Sequence, residues 1–264
     1  MHGSNGNSNL GVNLAFTKFL FVTPARDDDA ARTRLRAAGS IVARGFFNDF
    51  EAEGARDTAP HETVQFLVND EGHQRPGLPG ARYALQVSSK YRPRLKETEM
   101  ELRRRLAEHA EIVSLDGAVR VPQYTSAEMH AYAYKNAGAR GSGRAQRNAI
   151  IIPIRKTQEW WEKHALDRHA YFYPHADGAT GTRAKGHARA AEPGIGTIFR
   201  RLYSTPEGPG RADEFDFITY FECADEHVGT FDRICSALRD ERQNPEWRYV
   251  VEGPEWRGKR VLKW

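Results

Sequence analysis

Residues 148–156 read NAIIIPIRK, a nearly continuous apolar run. Such a run is typical of a central strand that is covered on both faces of a sheet. Residues 136–147, just before it, hold Gly, Ala, Ser and Arg without an apolar pattern, which is typical of a linker. We therefore predict a flexible lead at 1–13, an N-terminal half at 14–135 and a C-terminal half at 148–264.

The run at 148–156 opens a characteristic order of elements. The pattern predicts a helical stretch that begins at Trp160–Trp161, strands in GTIFRRLY and FDFITYFEC, a helix in DEHVGTFDRICSALRDER, and short strands in WRYVVEGP and KRVLKW. The N-terminal half shows a looser version of the same order, from a strand at 14–23 to a helix in PRLKETEMELRRRLAEHA. Each half therefore matches a ferredoxin-like unit, and the predicted fold class is α+β.

Composition limits the classes of function. Hydrophobic residues make up 39% and charged residues 28% of the 264, a balance typical of a globular protein. The net charge of +4 is spread along the chain rather than collected in a tail, so we expect no nucleic-acid partner. A mild positive field favours a small anionic substrate.

The expected compartment follows from the cysteines and the apolar runs. Cys223 and Cys235 do not form a CxxC pair, so we expect buried thiols and a reducing, cytoplasmic location. No apolar stretch approaches the roughly 18 residues of a membrane span, so no membrane partner is expected. The polar start of the chain lacks the order of a signal peptide.

Few residues suggest chemistry by themselves. The sequence has no G-x-S-x-G elbow, no P-loop and no strand-anchored G-x-G-x-x-G. His187 precedes a predicted strand, and Arg200 follows thirteen residues later, on the same strand face as Ile198 and Leu202. Taken singly, His187 is typical of an exposed loop histidine, and Arg200 of an edge-strand arginine whose head reaches water.

Four segments taken together change this interpretation. IIIPIRKTQEWW, GHARAAEPGIGTIFRRLYS, DFITYFEC and LRDERQN before VVEGP occur within residues 148–253 in an order and spacing that resemble the chlorite dismutase family of haem proteins. The resemblance implies a dimeric α+β barrel made of two ferredoxin-like halves. It also implies haem b and iron as cofactor, and a homo-oligomer, either pentamer or dimer.

The resemblance also implies roles for individual residues. His187 matches the proximal ligand of the haem iron, and neutral imidazole suits that role. Arg200 matches the distal arginine, which would hold a small oxyanion with its fork of donors. The remaining residues implied to line or bind the haem are Trp160, Trp161, Tyr124, Ile198 and Leu202.

Two departures from the family pattern bear on the reaction. Gln243 takes the place of the family glutamate that accepts the proximal histidine's N–H, and an amide pushes less electron density to iron than a carboxylate. Ile152 stands before Pro153 where related coproheme decarboxylases have a catalytic tyrosine, and Arg200 stands where some of them have glutamine. Both of the latter differences argue against decarboxylation.

Three hypotheses about function follow. The first is a haem-dependent oxidoreductase that converts chlorite to chloride and dioxygen. The second is a related haem enzyme that acts on an organic nitrogen–oxygen substrate by dehydration, nitrosation or N–N bond formation, which the amide of Gln243 favours. The third is a haem-binding protein without catalytic activity.

Overall fold

The computed structural model describes residues 15–51, 62–69, 81–119, 141–176, 181, 183–205, 210 and 214–264. The predicted lead at 1–13 and residues 136–140 of the predicted linker lie outside these ranges. Among the helices described, none is long and apolar enough to cross a membrane.

The first half is a four-stranded antiparallel unit with two helices. Its elements are β1 (Phe16–Pro24), α1 (Asp29–Val42), β2 (Phe47–Asn48), β3 (Thr63–Asn69), β4 (Tyr83–Ser89), α2 (Arg92–Leu106) and β5 (Ala110–Ala118). The long strands lie in the order β5-β1-β4-β3, and the two-residue β2 pairs with β3. This order is that of a ferredoxin-like unit.

The second half repeats this order with a different first crossover. Its elements are β6 (Asn148–Lys156), α3 (Gln158–Glu162), α4 (Ala165–Ala170), β7 (His175–Ala176), β8 (Arg183–Ala184), α5 (Gly186–Ala191), β9 (Phe199–Ser204), β10 (Phe217–Cys223), α6 (Val228–Arg239), β11 (Val250–Glu252) and β12 (Trp256–Val261). The long strands lie in the order β9-β10-β6-β12, and β11 pairs with the end of β6. Among the described residues, three short α-helices thus lie between β6 and β9, where one α-helix, α1, lies between β1 and β3.

Two seams join the halves into a closed barrel. β3 pairs with β12 from Phe66↔Val261 to Asn69↔Gly258. Among the described residues, β5 pairs with β9 only through Ala118↔Ser204. The predicted α+β barrel of two ferredoxin-like halves is therefore confirmed.

Strand alternation divides the apolar residues among three cores. One core lies between the first-half sheet and α1 and α2, and a second fills the barrel with aromatic side chains such as Phe19, Tyr220 and Trp256. The third lies between the second-half sheet and α6, and contains Ile150, Ile152 and Phe231. Each strand of the second half therefore has one face toward the barrel and one toward α6.

The first-half helices contain one crowded position and one open position. At Gly39 within α1, a Cβ would lie 2.9 Å from the rings of Phe66 and Trp264. Met100 of α2 is 60% exposed. Residues WRY, predicted as part of a strand, belong to a 3₁₀ helix, Pro245–Tyr249.

Candidate functional site

A cavity of about 80 Å³, open to solvent on one side, lies between the second-half sheet and the helices α5 and α6. Most of its wall is apolar. The lining residues are Ile152, Ile154, His187, Ala191, Arg200, Thr219, Phe221, Phe231, Ile234, Cys235, Leu238, Trp247 and Glu252.

Strand β9 carries Arg200 into this cavity. Phe199 and Tyr203 belong to the core inside the barrel, so the alternate residues Arg200 and Leu202 face the side of α6. Arg200 lies opposite Phe221 on β10. Among the described residues, no carboxylate or carbonyl pairs with the Arg200 guanidinium, so its donors are available to a ligand in the cavity.

His187 reaches the cavity from the first turn of α5. Gly186, just before it, has a φ of +73°, and a Cβ at that position would lie 2.3 Å from the carbonyl oxygen of Tyr173. The backbone N–H of His187 donates to the Tyr171 carbonyl, at 3.2 Å. A glycine with a left-handed backbone and a close approach to a neighbouring segment thus fix the position of the histidine.

A carboxylate and a buried lysine stand behind His187. The Nδ1 of His187 lies 3.2 Å from Oε2 of Glu246. The other oxygen of Glu246 accepts a hydrogen bond of 2.6 Å from the ammonium of Lys156, and both side chains are almost fully buried. The three residues form a continuous chain from the cavity wall to the end of β6.

Glu246 and Lys156 counteract the effect of burial on each other. Burial lowers the pKa of the Lys156 ammonium below its usual value, and the charge and hydrogen bond of Glu246 offset only part of this shift. Burial by itself would raise the pKa of Glu246, but the nearby charge of Lys156 and the hydrogen bonds from His187 and Lys156 hold that pKa well below its usual range. Glu246 is therefore ionised. An ionised acceptor at Nδ1 favours the tautomer that carries its proton there and leaves the Nε2 lone pair available.

The prediction that Gln243 takes the position behind His187 is wrong, because α6 ends earlier than the sequence pattern suggests. The helix stops at Arg239, and Asn244 follows in a turn closed by its N–H bond of 2.8 Å to the Asp240 carbonyl. Gln243 contributes only its backbone carbonyl, which accepts from the N–H groups of Lys185 and Gly186. The 3₁₀ helix that begins at Pro245 turns Glu246 inward. Proline after asparagine is a helix-stop signal and could have located this break.

Four other predicted residues do not line the cavity: Ile198, Leu202, Trp160 and Trp161. Ile198 is buried in the core beneath it. Trp160 is fully buried, and the Lys156 ammonium lies 4.2 Å from the centre of its ring. The indole N–H of Trp161 donates to Asp216 at 3.2 Å. Tyr124 lies outside the described residues.

Sequence patterns missed the helical wall of the cavity. The apolar stripe of α6 predicts core packing, yet Phe231, Ile234 and Cys235 of this stripe also line the cavity.

Cys223 and Cys235 are free and buried, as expected. Burial raises the pKa of the Cys235 thiol to about 12, so it stays protonated near neutral pH. In the described part of the chain, no group of three or more His, Cys, Asp or Glu side chains is arranged to hold a metal ion.

Comparison with solved structures identifies the fold. No protein-family model and no curated protein matches the sequence. A variant of chlorite dismutase from Candidatus Nitrospira defluvii matches with a TM-score of 0.65 and 20% identity, over 94% of this chain and 91% of that one. A second variant of that enzyme, in complex with cyanide, matches with a TM-score of 0.65 and 21% identity, over 94% and 90% of the two chains. The protein TA0507, provisionally assigned as a chlorite dismutase, matches with a TM-score of 0.59 and 14% identity, over 94% and 95%. The chain has the chlorite dismutase fold, which confirms at the level of fold the resemblance seen in its sequence.

Proposed function

We propose that the cavity binds haem b with His187 as its axial ligand, and that the protein is a haem-dependent oxidoreductase whose substrate is chlorite. The observation that carries this proposal is one cavity with two opposed polar groups. His187, supported by ionised Glu246, lies on the helical wall, and Arg200, without a protein partner among the described residues, lies on the strand wall.

The residues fit haem in three respects. Nε2 of His187 is the ring nitrogen not used by Glu246, and imidazole is a common axial ligand of haem iron. The wall between His187 and Arg200 is mainly aliphatic and aromatic, which suits a large flat macrocycle. Structures of the same fold were solved in complex with cyanide and with imidazole, both of which are ligands of haem iron.

Each residue of the chain has a part in the proposed reaction. Glu246 orients the His187 ring through its contact with Nδ1, while the charge and hydrogen bond of Lys156 help to keep Glu246 ionised. Arg200 binds chlorite and retains the hypochlorite fragment, since a guanidinium stays charged and donates a fork of hydrogen bonds. Ile152 and Phe221 exclude water near Arg200, which strengthens that interaction. Bound haem supplies the redox chemistry that releases chloride and dioxygen.

Glu246 also weakens the case for the nitrogen–oxygen substrate. The amide of Gln243 favoured that hypothesis, because it would have reduced the donation of electron density to iron. A buried carboxylate that accepts from His187 removes this argument. Assembly as a homo-oligomer and a cytoplasmic location stay predictions from the sequence.

Absorbance spectra and oxygen measurements test the proposal. Purified protein with added haem should show a Soret band that His187→Ala shifts or removes, and it should release dioxygen from chlorite. Arg200→Ala should keep the Soret band but release at least ten-fold less dioxygen before the enzyme is inactivated. Arg189→Ala, an exposed arginine two residues after His187, is the matched control and should behave like the wild type.

Different results separate the three hypotheses. A haem complex that releases no dioxygen from chlorite would contradict the proposed substrate and leave the haem-binding hypothesis. A protein with no Soret band, or with a band that His187→Ala leaves unchanged, would contradict the proposed haem site itself.

A further inference from the structure

Three aromatic side chains form a cluster directly behind the His187–Glu246–Lys156 chain. The ring centres of Trp160 and Tyr171 are 5.6 Å apart, and those of Trp160 and Tyr249 are 5.7 Å apart. Tyr171 and Tyr249 close the triangle, with ring centres separated by 5.7 Å and hydroxyl oxygens by 3.4 Å. Tryptophan and tyrosine are the side chains that give up an electron most readily, apart from cysteine thiolate. At these separations they can exchange it.

The cluster is joined to His187 by two routes. The Tyr171 carbonyl accepts the backbone N–H of His187. The Lys156 ammonium lies over the Trp160 ring at 4.2 Å and donates to Glu246, which in turn contacts His187. The first route thus connects His187 to the cluster directly. The second connects them through two residues, Lys156 and Glu246.

The cluster also extends from the interior toward solvent. Trp160 is fully buried and Tyr249 is buried, whereas Tyr171 is only partly buried. The Tyr171 ring lies 5.4 Å from that of His175, which is also partly exposed. Ammonium groups lie over the rings of Trp160 and Tyr249, from Lys156 at 4.2 Å and Lys163 at 4.6 Å. A nearby cation makes removal of an electron from these two rings harder.

We propose that Trp160, Tyr249 and Tyr171 form a one-electron relay between the haem site and the surface, and that Tyr171 is the residue on which the radical settles. The relay rests on the proposed haem function. It would give the protein a second activity, one-electron oxidation of small donors at the surface.

The relay step balances as follows in electrons and protons. An oxidant formed in the cavity from an organic peracid takes one electron that originates on Tyr171. The Tyr171 phenol loses its proton to solvent and becomes a neutral phenoxyl radical. A donor such as ascorbate then returns one electron and one proton, which restores the phenol.

Electron paramagnetic resonance of the haem-loaded protein tests the relay. After rapid mixing with peracetic acid and freezing, the wild type should show a phenoxyl signal. Tyr171→Phe should reduce the signal at least five-fold, and the double variant Tyr171→Phe/Tyr249→Phe should remove it, with the same Soret band before mixing. In both variants the Soret band should bleach faster during repeated additions of peracid. Tyr91→Phe, at an exposed tyrosine of the first half, is the control and should match the wild type.

The outcomes separate the relay from the function on which it rests. A Soret band without a phenoxyl signal, or with a signal that persists in the double variant, would overturn the relay and leave the haem site standing. Loss of the signal in Tyr91→Phe as well would also overturn it. Failure to form the Soret band in the wild type would overturn both proposals.

Discussion

The two halves of the barrel share one topology but differ in how their helices meet the sheet. In the first half, α1 and α2 lie directly on the strands, and Leu95, Leu102 and Leu106 are buried to within 1% of complete. In the second half, α6 covers the same face of the sheet, but a cavity of about 80 Å³ lies partly beneath it. The comparison shows that a cavity can form over the sheet without a change in the order of the strands.

The first crossover of each half explains the difference. Among the described residues, the 14-residue helix α1 lies between β1 and β3 and shares the face of the first sheet with α2. Helices of five, six and six residues lie between β6 and β9. The last of these, α5, lines the cavity and carries His187. Arg200, which also lines the cavity, lies on the next long strand, β9.

Truncation of one core residue in each half tests this comparison most strongly. Leu102→Ala should lower the free energy of unfolding by about 4 kcal/mol, because Leu102 is fully enclosed. Ile234→Ala removes the same number of carbon atoms but should cost only about 2 kcal/mol, because Ile234 already borders the cavity and makes fewer contacts. Urea unfolding of the two variants without haem measures both. Equal losses would mean that the second half is as tightly packed as the first.

Two buried ion pairs, each with a glutamate, allow a test of which one supports His187 in the cavity. Glu246 pairs with Lys156, and Glu222 pairs with Arg260 inside the barrel at 2.9 Å. Removal of one partner from a buried pair costs about 3 kcal/mol, so Glu246→Gln and Glu222→Gln should be similarly destabilised. Only Glu246→Gln should also change the haem spectrum and the frequency of the iron–histidine stretch. A spectral change of equal size in Glu222→Gln would contradict the role given to Glu246.

A pair of glycines tests how the second half positions its histidine. Gly186 and Gly196 both have positive φ, but a Cβ would meet the Tyr173 carbonyl at Gly186 and nothing within 4 Å at Gly196. We expect Gly196→Ala to cost about 1 kcal/mol from backbone strain alone. Gly186→Ala should cost about 3 kcal/mol and weaken haem binding, since the clash displaces His187. Haem titration of both variants decides this, and equal affinities would show that the close contact is unimportant.

A loss of stability at alkaline pH should arise from the two thiols of the second half. Burial raises the pKa of Cys223 to about 11 and that of Cys235 to about 12, from a model-compound value of 9.0, and the first half has no cysteine. Between about pH 9 and 11 the unfolded chain has lost these protons while the folded protein keeps them. The free energy of unfolding should therefore fall by about 1.4 kcal/mol per pH unit for each thiol. Replacement of Cys223 by alanine should reduce the slope measured by urea unfolding across this range; an unchanged slope would contradict the assignment.

The sequence predicts most of the framework because strands and helices have distinct periods. The runs that became β6 and β10 are apolar on both faces, and the structure buries one face in the barrel and the other beneath α6. Met100 shows the limit of the pattern. It follows the apolar spacing of α2, yet it is exposed.

The sequence pattern did not predict that Glu246 and Lys156 stand behind His187. The family resemblance implied Gln243 behind His187, whereas the chain leaves α6 at Arg239 and places Glu246 beside His187. The contribution of Lys156 was equally hidden, since a lysine at the end of a strand normally reaches water. The cavity could not be foreseen either, because an apolar stripe on α6 is the same whether its partner is a side chain or an open space.

The unequal seams of the barrel have a mechanical consequence. The β3–β12 seam is a continuous ladder of strand pairs, whereas among the described residues β5 and β9 pair only at Ala118↔Ser204. At the β5–β9 seam, a Cβ added to Gly117 would lie 2.6 Å from the side chain of Tyr203. Separation of β5 from β9 should therefore break fewer backbone hydrogen bonds among the described residues than separation of β3 from β12, so we expect the barrel to open first at the β5–β9 seam.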